Sequence, residues 1–321
     1  MADSLKVHFF TLTDTEGSEH IYMGELQPAL AERNVVPVDD WRDADVVHLF
    51  EVNFLTADTL RNFQFPKLLR IIRSDTSLVI STDDLYFCDD PDLTVRPRLY
   101  PLNHHLQRLL FERADALIAI SESVRGRLER HVDSTPIHVV RHGVDDAYRN
   151  DDTPSGDPFV LHVSLAAPRK NPEAVAEVAE RLDHRMVIAG SGWDERIPET
   201  ATNVETPGFV PEDELIRLYE DAAVFYFPTR HEGFGLPVLE AMAANTAVVT
   251  SDVYSVPEVT GEHAVLRNPH AIDAHVEAIE RLLETDAERR ELAQQAHERA
   301  EQFTWAKAAR ETESVYRDVR V

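Results

Sequence analysis

The stretch TRHEGFGLPVLEAMA, residues 229–243, decides how the chain is interpreted. An apolar run at 222–227 leads into it and predicts a buried strand. The glycines of EGFG, residues 232–235, predict a turn, and Pro237 stands where a helix can begin, because a first helical turn has no use for the missing N–H. Strand, turn and helix start together predict backbone N–H groups directed at a ligand.

Two glutamates flank this turn. Glu232 lies in the turn and Glu240 lies eight positions later, in the first turns of the predicted helix. Carboxylates suit sugar hydroxyls, from which they accept strong hydrogen bonds, better than they suit a phosphate. The alternative is an ordinary helix start, since the helix dipole favours an acid there.

Composition limits the class of protein. The 321 residues suit about two domains, and 43% of them are hydrophobic, enough for a core in each. No apolar run approaches the roughly 18 residues of a membrane span, and the N-terminus lacks the layout of a signal peptide. We therefore expect a soluble, cytoplasmic protein. Cys88 is the single cysteine, so neither a disulfide framework nor a cysteine metal site is expected.

The chain is strongly acidic, with a formal net charge of −26. This argues against nucleic acid as a partner, because phosphate backbones require a basic face. We expect adaptation to high salt, where screening tolerates the repulsion, and the even spread of acids favours this over a locally acidic binding surface. Basic residues are therefore noteworthy, lysines above all, which number four: Lys6, Lys67, Lys170 and Lys307.

The first half of the chain alternates short apolar runs with amphipathic helical patterns. This alternation predicts α/β structure with a doubly wound parallel sheet. In ADALIAISESVRGRL (114–128), Ser121 is expected to cap a helix that buries Val124 and Leu128. The polar segment 148–157 predicts a linker to a second sheet. The apolar runs lie at 35–38, 45–50, 77–81, 116–120 and 137–140.

Several ordered segments resemble retaining glycosyltransferases of family 4, group 1 type, with mannosyltransferases the nearest in pattern. The stretch 229–243 resembles their Glu-x7-Glu motif, and RHGVDD (141–146) resembles the NGVD at the exit of their first domain. SLAAPRKNPE (164–173) resembles their donor-phosphate segment, and GFVPEDELIRLYEDA (208–222) resembles the segment that borders the nucleobase. WAKAARETESVY (305–316) resembles their terminal helix.

The resemblance implies the GT-B fold: two Rossmann-like, doubly wound domains facing a cleft. It implies an acceptor-side domain at 1–148, a nucleotide-sugar domain at 149–303, and a helix at 304–321 that crosses back to the first domain. It further implies a metal-independent hexosyltransferase of glycan biosynthesis with no cofactor. Its donor would be a GDP- or UDP-linked sugar, and its acceptor a glycan or a lipid-linked molecule.

The resemblance also assigns site residues. Catalysis would rest on Glu232, Arg169 and Lys170, with Asp83 on the acceptor side; the cations would stabilise the departing diphosphate, and Glu232 would hold sugar hydroxyls. Gly17 marks the acceptor loop. Donor binding would involve Ser164, Arg169, Lys170, Gly190, Phe209, Val210, Glu232, Gly233, Phe234, Gly235, Leu236 and Glu240, the last of these at the ribose.

The chain departs from the family pattern at several positions. Asp83 stands where a histidine is usual, and an ionised aspartate cannot donate a hydrogen bond. The pair Asp83-Asp84 could instead be a metal-binding acid pair. Leu165 replaces a common arginine, and the loop at Gly17 has few glycines. These departures keep a second hypothesis open, a nucleotide-sugar-binding pseudoenzyme or scaffold without turnover, and a third, a nucleotide-sugar epimerase.

Two basic stretches, 61–73 and 96–113, interleave arginine with apolar residues. Such helices can dock on anionic lipid, where a lipid-linked acceptor would lie, which predicts peripheral membrane contact. The alternative is that both simply cover a sheet while their arginines extend to water.

Overall fold

The computed structural model describes residues 4–11, 18–50, 65–83, 100–152, 154 and 156–320. Gly17, Asp84 and Cys88 lie outside these ranges, as do parts of both basic stretches. The chain divides into two compact units: a first unit of Met1–Gly143 with Thr304–Val321, and a second unit of Val144–Phe303.

The first unit contains a parallel sheet with the strand order β2-β1-β3-β4-β5-β6. Its winding reverses between β1 and β3, because β1 connects to β2 on one side while the later strands follow β3 on the other. The strands are β1 (Leu5–Thr11), β2 (Val35–Pro37), β3 (Val46–Phe50), β4 (Ser77–Thr82), β5 (Ala116–Ala119) and β6 (Ile137–Val139). The helices described between them are α1 (Ser18–Ala31), α2 (Phe65–Ile71), α3 (Tyr100–Phe111) and α4 (Glu122–Leu128).

The C-terminal helix completes the core of the first unit. It packs against α1, and its Trp305, Ala309 and Tyr316 join the apolar cluster formed by β1, β3 and β4. The Tyr316 hydroxyl lies 2.5 Å from Nδ1 of His48, whose Nε2 lies 2.6 Å from Ser81 Oγ. Burial lowers the pKa of His48 to about 3, so the ring is neutral at ordinary pH.

The second unit contains a parallel sheet with the order β12-β11-β10-β7-β8-β9. Its winding reverses between β7 and β10, the doubly wound Rossmann arrangement. The strands are β7 (Val160–Val163), β8 (Met186–Ala189), β9 (Val204–Gly208), β10 (Val224–Phe227), β11 (Ala247–Ser251) and β12 (Val265–Arg267). The helices are α5 (Pro172–Arg181), α6 (Glu212–Asp221), α7 (Leu236–Ala243), α8 (Val256–Thr260), α9 (Ile272–Glu284) and α10 (Asp286–Ala300), followed in the first unit by α11 (Trp305–Val319).

Two doubly wound sheets confirm the predicted α/β fold class. Ser121 caps α4 as expected, its Oγ accepting from Val124 N at 3.1 Å, and Val124 and Leu128 are buried. The chain passes from the first unit to the second after Gly143, and Tyr148 packs edge-on against Tyr219 of the second unit, with ring centroids 5.7 Å apart. Within the described ranges, we find no helix with the length and apolar character needed to traverse a lipid bilayer.

Candidate functional site

Two loops meet at the carboxyl edge of the second sheet, where its winding reverses. The loop after β7 contains the short 3-10 helix Pro168–Lys170, and the loop after β10 contains Thr229 and Glu232. Arg230 N donates to Arg169 O at 2.8 Å, and Asn171 Nδ2 donates to Pro228 O at 3.0 Å. These bonds fix the loops to each other. In open α/β sheets this crevice is the usual place for a ligand.

The loops bring two cations to one buried carboxylate. The Lys170 ammonium contacts Oε1 of Glu232, and Arg169 Nη1 lies 3.3 Å from the same oxygen. The Thr229 hydroxyl lies 3.1 Å from it as well. The side chains of Lys170 and Glu232 are only 8% and 7% exposed, whereas that of Arg169 is 33% exposed. Lys170 and Glu232 therefore form a buried charge pair, with Arg169 reaching toward solvent.

The cluster joins residues for which the sequence predicted separate roles. The two cations were expected to contact a diphosphate, and Glu232 was expected to contact sugar hydroxyls. In the structure, Arg169 and Lys170 both contact Glu232 itself. Burial of Lys170 also contradicts an ordinary solvated helix start; its ammonium lies 4.8 Å from the centroid of the Phe227 ring. Arg169, Lys170 and Thr229 all direct their donors to Oε1 of Glu232 rather than to Oε2.

The EGFG turn is stabilised by hydrogen bonds from Ser255, a residue that the sequence analysis did not assign to the site. Ser255 Oγ lies 3.0 Å from the carbonyl oxygens of both Glu232 and Phe234. Gly235 has φ 101°, a left-handed conformation that glycine adopts without strain, and it precedes the first turn of α7. Phe234 is buried, with its ring 5.9 Å from that of Phe303, so this residue offers a ligand only its backbone.

Replacing Ser255 with alanine should therefore weaken the turn. We expect the free energy of unfolding to fall by about 1–2 kcal/mol, because two buried carbonyls lose their shared donor. The matched control is Ser251→Ala, since Ser251 is equally buried and its Oγ has no hydrogen-bond partner among the described residues. Urea denaturation compares the two variants. Equal stabilities would contradict a role for the Ser255 hydroxyl in holding the turn.

Glu240 lies in a different environment from Glu232. Its Oε2 accepts from the hydroxyl of Tyr219, a fully buried side chain, at 2.9 Å. Burial raises the pKa of Glu240 to about 7, and the Tyr219 hydrogen bond opposes that rise. The sequence predicted an ionised acceptor for ribose hydroxyls. With its pKa raised to about 7, this carboxyl group holds a proton more readily near neutral pH than an ordinary glutamate does.

This environment predicts a pH-dependent contribution to stability. Because the pKa of Glu240 is higher in the folded chain than its ordinary value of 4.5, the folded state binds the proton more tightly, and stability falls as pH rises from 4.5 to about 7. Between pH 5 and pH 8 the wild type should lose on the order of 2 kcal/mol relative to Glu240→Gln. Denaturation at both pH values measures this. The exposed Glu214→Gln serves as control, and parallel wild-type and Glu240→Gln profiles would contradict the assignment.

The turn after β8 also contributes to the candidate site. Gly190 has φ 123°, and a Cβ there would lie 2.0 Å from Ser164 O, so only glycine permits this approach. Trp193 Nε1 donates to the same carbonyl at 2.7 Å. Burial lowers the pKa of His162 to about 3; the neutral ring donates from Nδ1 to Tyr226 O at 2.8 Å and presents Nε2 to Ser164 Oγ at 2.7 Å. Ser164 is thus held rigidly at the end of β7.

The remaining predicted site residues vary in exposure. Phe209 is 84% exposed and Leu165 is 62% exposed, whereas Val210 is buried. Asp83 follows β4 of the first unit and is half-buried. Gly17 lies outside the described residues. Within the described ranges, no three histidine, cysteine, aspartate or glutamate side chains converge as a metal site, and metal independence stays a prediction.

Two family models together match most of the chain. One described as "Glycosyl transferases group 1" matches residues 145–299, and one described as "Glycosyltransferase Family 4" matches residues 28–148. The matches are consecutive and correspond closely to the two units. The chain belongs to the group 1 glycosyltransferases of family 4.

Curated relatives match a part of their own length. The chain is 32% identical over 231 residues to the serotype-specific mannosyltransferase WbdA of Escherichia coli, covering 62% of this chain and 28% of that protein. It is 31% identical over 247 residues to the D-inositol 3-phosphate glycosyltransferase of Corynebacterium diphtheriae, covering 66% and 58% respectively. The chain thus spans less than two thirds of the length of either relative.

Solved structures are similar over nearly the whole chain. Sucrose-phosphate synthase from Thermosynechococcus elongatus matches with a TM-score of 0.78 at 18% identity, covering 98% of this chain and 99% of that one. WaaG, a glycosyltransferase involved in lipopolysaccharide biosynthesis, matches with a TM-score of 0.73 at 13% identity, covering 98% and 99%. Anabaena HepE in complex with UDP-glucose matches with a TM-score of 0.76 at 15% identity, covering 97% and 99%. These likenesses confirm the predicted GT-B fold class.

Proposed function

We propose that this chain is a retaining hexosyltransferase that moves a sugar, with mannose the first candidate, from a GDP- or UDP-linked donor to a glycan or lipid-linked acceptor. The observation that carries the proposal is the buried Lys170–Glu232 pair with Arg169, placed where the winding of the second sheet reverses. The mannosyltransferase relative supports the choice of sugar, and HepE, solved with UDP-glucose, supports a nucleotide-sugar donor.

Departure of the diphosphate is the step that these residues serve. As the bond between the sugar and the diphosphate breaks, negative charge grows on the leaving phosphate, and fixed cations stabilise that growth. Arg169 supplies a partly exposed guanidinium, and Lys170 supplies an ammonium oriented by Glu232. The N-terminal end of α7 adds positive dipole at the same edge. The proposed reaction thus assigns charge stabilisation to protein groups rather than to a metal.

Glu232 serves the sugar. Oε1 is occupied by Lys170, Arg169 and Thr229, so Oε2 is the acceptor for a sugar hydroxyl. The acceptor hydroxyl attacks the anomeric carbon on the face from which the diphosphate leaves, and a phosphate oxygen takes its proton. Asp83, at the end of β4, and Gly17 are assigned to the acceptor side.

Glu240 and Phe209 serve the nucleoside. Ribose hydroxyls that donate to Glu240 favour its ionised form, so donor binding near pH 7 should release a proton from this carboxyl group. Phe209 is almost fully exposed, an unusual state for so large an apolar side chain, and its ring suits stacking on a base.

A thermal-shift panel of nucleotide sugars at molar salt, followed by a transfer assay, tests this function. We expect GDP- or UDP-sugars to raise the melting temperature, and the wild type to hydrolyse or transfer the donor sugar. If the chain binds nucleotide sugars without turnover, and Glu232→Ala changes nothing beyond binding, the enzyme hypothesis fails. That result would favour a pseudoenzyme or scaffold. Interconversion of the donor sugar without an acceptor would indicate an epimerase.

The setting of the reaction is a further part of the proposal. The net charge of −26 supports work in a high-salt cytoplasm. Leu102 and Leu109 of α3 are 51% and 53% exposed within the basic stretch 96–113, which supports peripheral contact with the inner face of a membrane. Flotation with anionic vesicles tests this contact, and loss of flotation in Leu102→Gln/Leu109→Gln is the expected result.

A further inference from the structure

The first unit has an open cavity of ≈390 Å³ that the proposed donor site does not use. It lies at the carboxyl edge of the first sheet, beyond the end of β2 and beside α2, the helix that follows β3. That edge is again close to a reversal of winding, here between β1 and β3. The cavity is lined by Asp39, Asp40, Trp41, Arg42, Lys67 and Arg70.

Two of the three lining cations take part in no ion pair among the residues that the structure describes. Arg42 is paired, since its Nη1 lies 2.9 Å from Asp40 Oδ2 and its guanidinium lies over the Trp41 ring. Lys67 and Arg70 form no ion pair with any carboxylate of the described residues. The chain has 58 acidic residues and 32 basic ones, so two cations outside any described ion pair are unusual here, the more so with Asp39 and Asp40 lining the same cavity.

Lys67 is the more informative of the two. It is half-buried, and its ammonium lies 4.6 Å from the centroid of the Phe10 ring near the end of β1. Burial lowers the pKa of Lys67, while Asp40 opposes that shift. A partly desolvated ammonium without a direct counter-ion gains most from a bound anion.

We propose that this cavity binds a phosphate group carried by the acceptor. Lys67 and Arg70 are three positions apart on α2 and so lie on one face of the helix. The Arg70 fork can bind two phosphate oxygens, and Lys67 contributes a point charge from the floor of the cavity. Trp41 with the Arg42 stem gives a wall for the alcohol or sugar that bears the phosphate. The inference rests on the proposed function and names its acceptor class.

The phosphate could belong to a soluble phosphorylated acceptor or to a lipid headgroup, and the test has an arm for each. Inorganic phosphate and glycerol 1-phosphate are titrated calorimetrically after the donor site has been filled with nucleoside diphosphate. Vesicles of phosphatidylglycerol, with phosphatidylcholine as reference, are tested in flotation. Both arms compare the wild type with Lys67→Gln/Arg70→Gln, and with Lys6→Gln/Arg73→Gln, which removes the same charge from exposed positions outside the cavity.

We expect the cavity variant to bind the phosphate probe or the anionic vesicle about tenfold more weakly, and the control variant to change less than about twofold. Loss in the soluble arm assigns the phosphate to a soluble acceptor; loss in the vesicle arm alone assigns it to a lipid. Equal losses in both variants, or no wild-type binding in either arm, would overturn the inference. Arg70→Gln alone should lower the affinity for the probe by an intermediate amount. Because Arg70 is exposed, this variant should fold normally, and it therefore keeps the test valid if the double variant misfolds.

The outcomes separate this inference from the proposed function. Nucleotide-sugar binding that is intact in both variants, together with no phosphate binding at the cavity, overturns the inference alone. Phosphate binding that depends on Lys67 and Arg70, in a chain that binds no nucleotide sugar, overturns the proposed function alone.

Discussion

Exchanging Lys170 for methionine is expected to lower the free energy of unfolding by about 3 kcal/mol and the rate of transfer by about 10²–10³-fold. The first effect arises because the buried Glu232 carboxyl group loses its ammonium partner and retains Arg169 and Thr229 among the described residues. The second arises because a fixed cation at the leaving diphosphate is lost. Denaturant unfolding and single-turnover kinetics measure the two effects.

The double variant Lys170→Met/Glu232→Gln separates them. It removes both buried charges, so we expect most of the lost stability to return while transfer stays low. Arg185→Met is the control, since it breaks an exposed ion pair with Glu205 in the same unit and should cost less than about 1 kcal/mol. A Lys170→Met variant as stable as the control would refute the buried pair as a source of stability.

Gly190→Ala should severely destabilise the second unit. The new Cβ would lie 2.0 Å from Ser164 O, a backbone atom that is also bound by Trp193 and cannot yield easily. The backbone at φ 123° is strained for any side chain as well. We expect a loss of about 4 kcal/mol or more, or failure to fold, with the end of β7 displaced.

Gly208→Ala is the matched control for this prediction. Gly208 has φ 75°, but a Cβ there would meet no atom within 4 Å. Only the conformational penalty remains, about 1 kcal/mol. Thermal unfolding compares the variants, and similar melting temperatures would show that the close approach of Gly190 to Ser164 is not a constraint.

Local features of the fold were predictable because the signals are local. The EGFGLP string predicts a turn and a helix start, and the structure has Gly235 in the left-handed region before α7. Asn245 has φ 59°, the left-handed conformation that asparagine tolerates better than most residues. The pattern at 287–303 predicts a helix, and the structure has α10 at Asp286–Ala300, since local periodicity fixes the ends of an element less well than its existence.

The sequence nominated members of the candidate site but not the contacts between them. Each of Arg169, Lys170 and Glu232 was found from its own segment, yet Lys170 and Glu232 are 62 positions apart, and periodicity carries no information about which side chains then meet. The same holds for His48 and Tyr316, 268 positions apart, and for Ser255, whose partners are backbone carbonyls of another loop. The raised pKa of Glu240 depends on burial beside Tyr219, which only the packed structure supplies.

The position of α11 has a consequence for how the chain folds as it is made. The second unit is one continuous segment, so it can form its whole core as soon as residue 303 has left the ribosome. The first unit is synthesised earlier but lacks Trp305 and Tyr316 until those residues have been made, and until then His48 has no hydroxyl from Tyr316 to bind. The half of the chain that emerges first is therefore the half that becomes native last, and its unfinished core must be kept from aggregation for the whole time that the second unit takes to be translated.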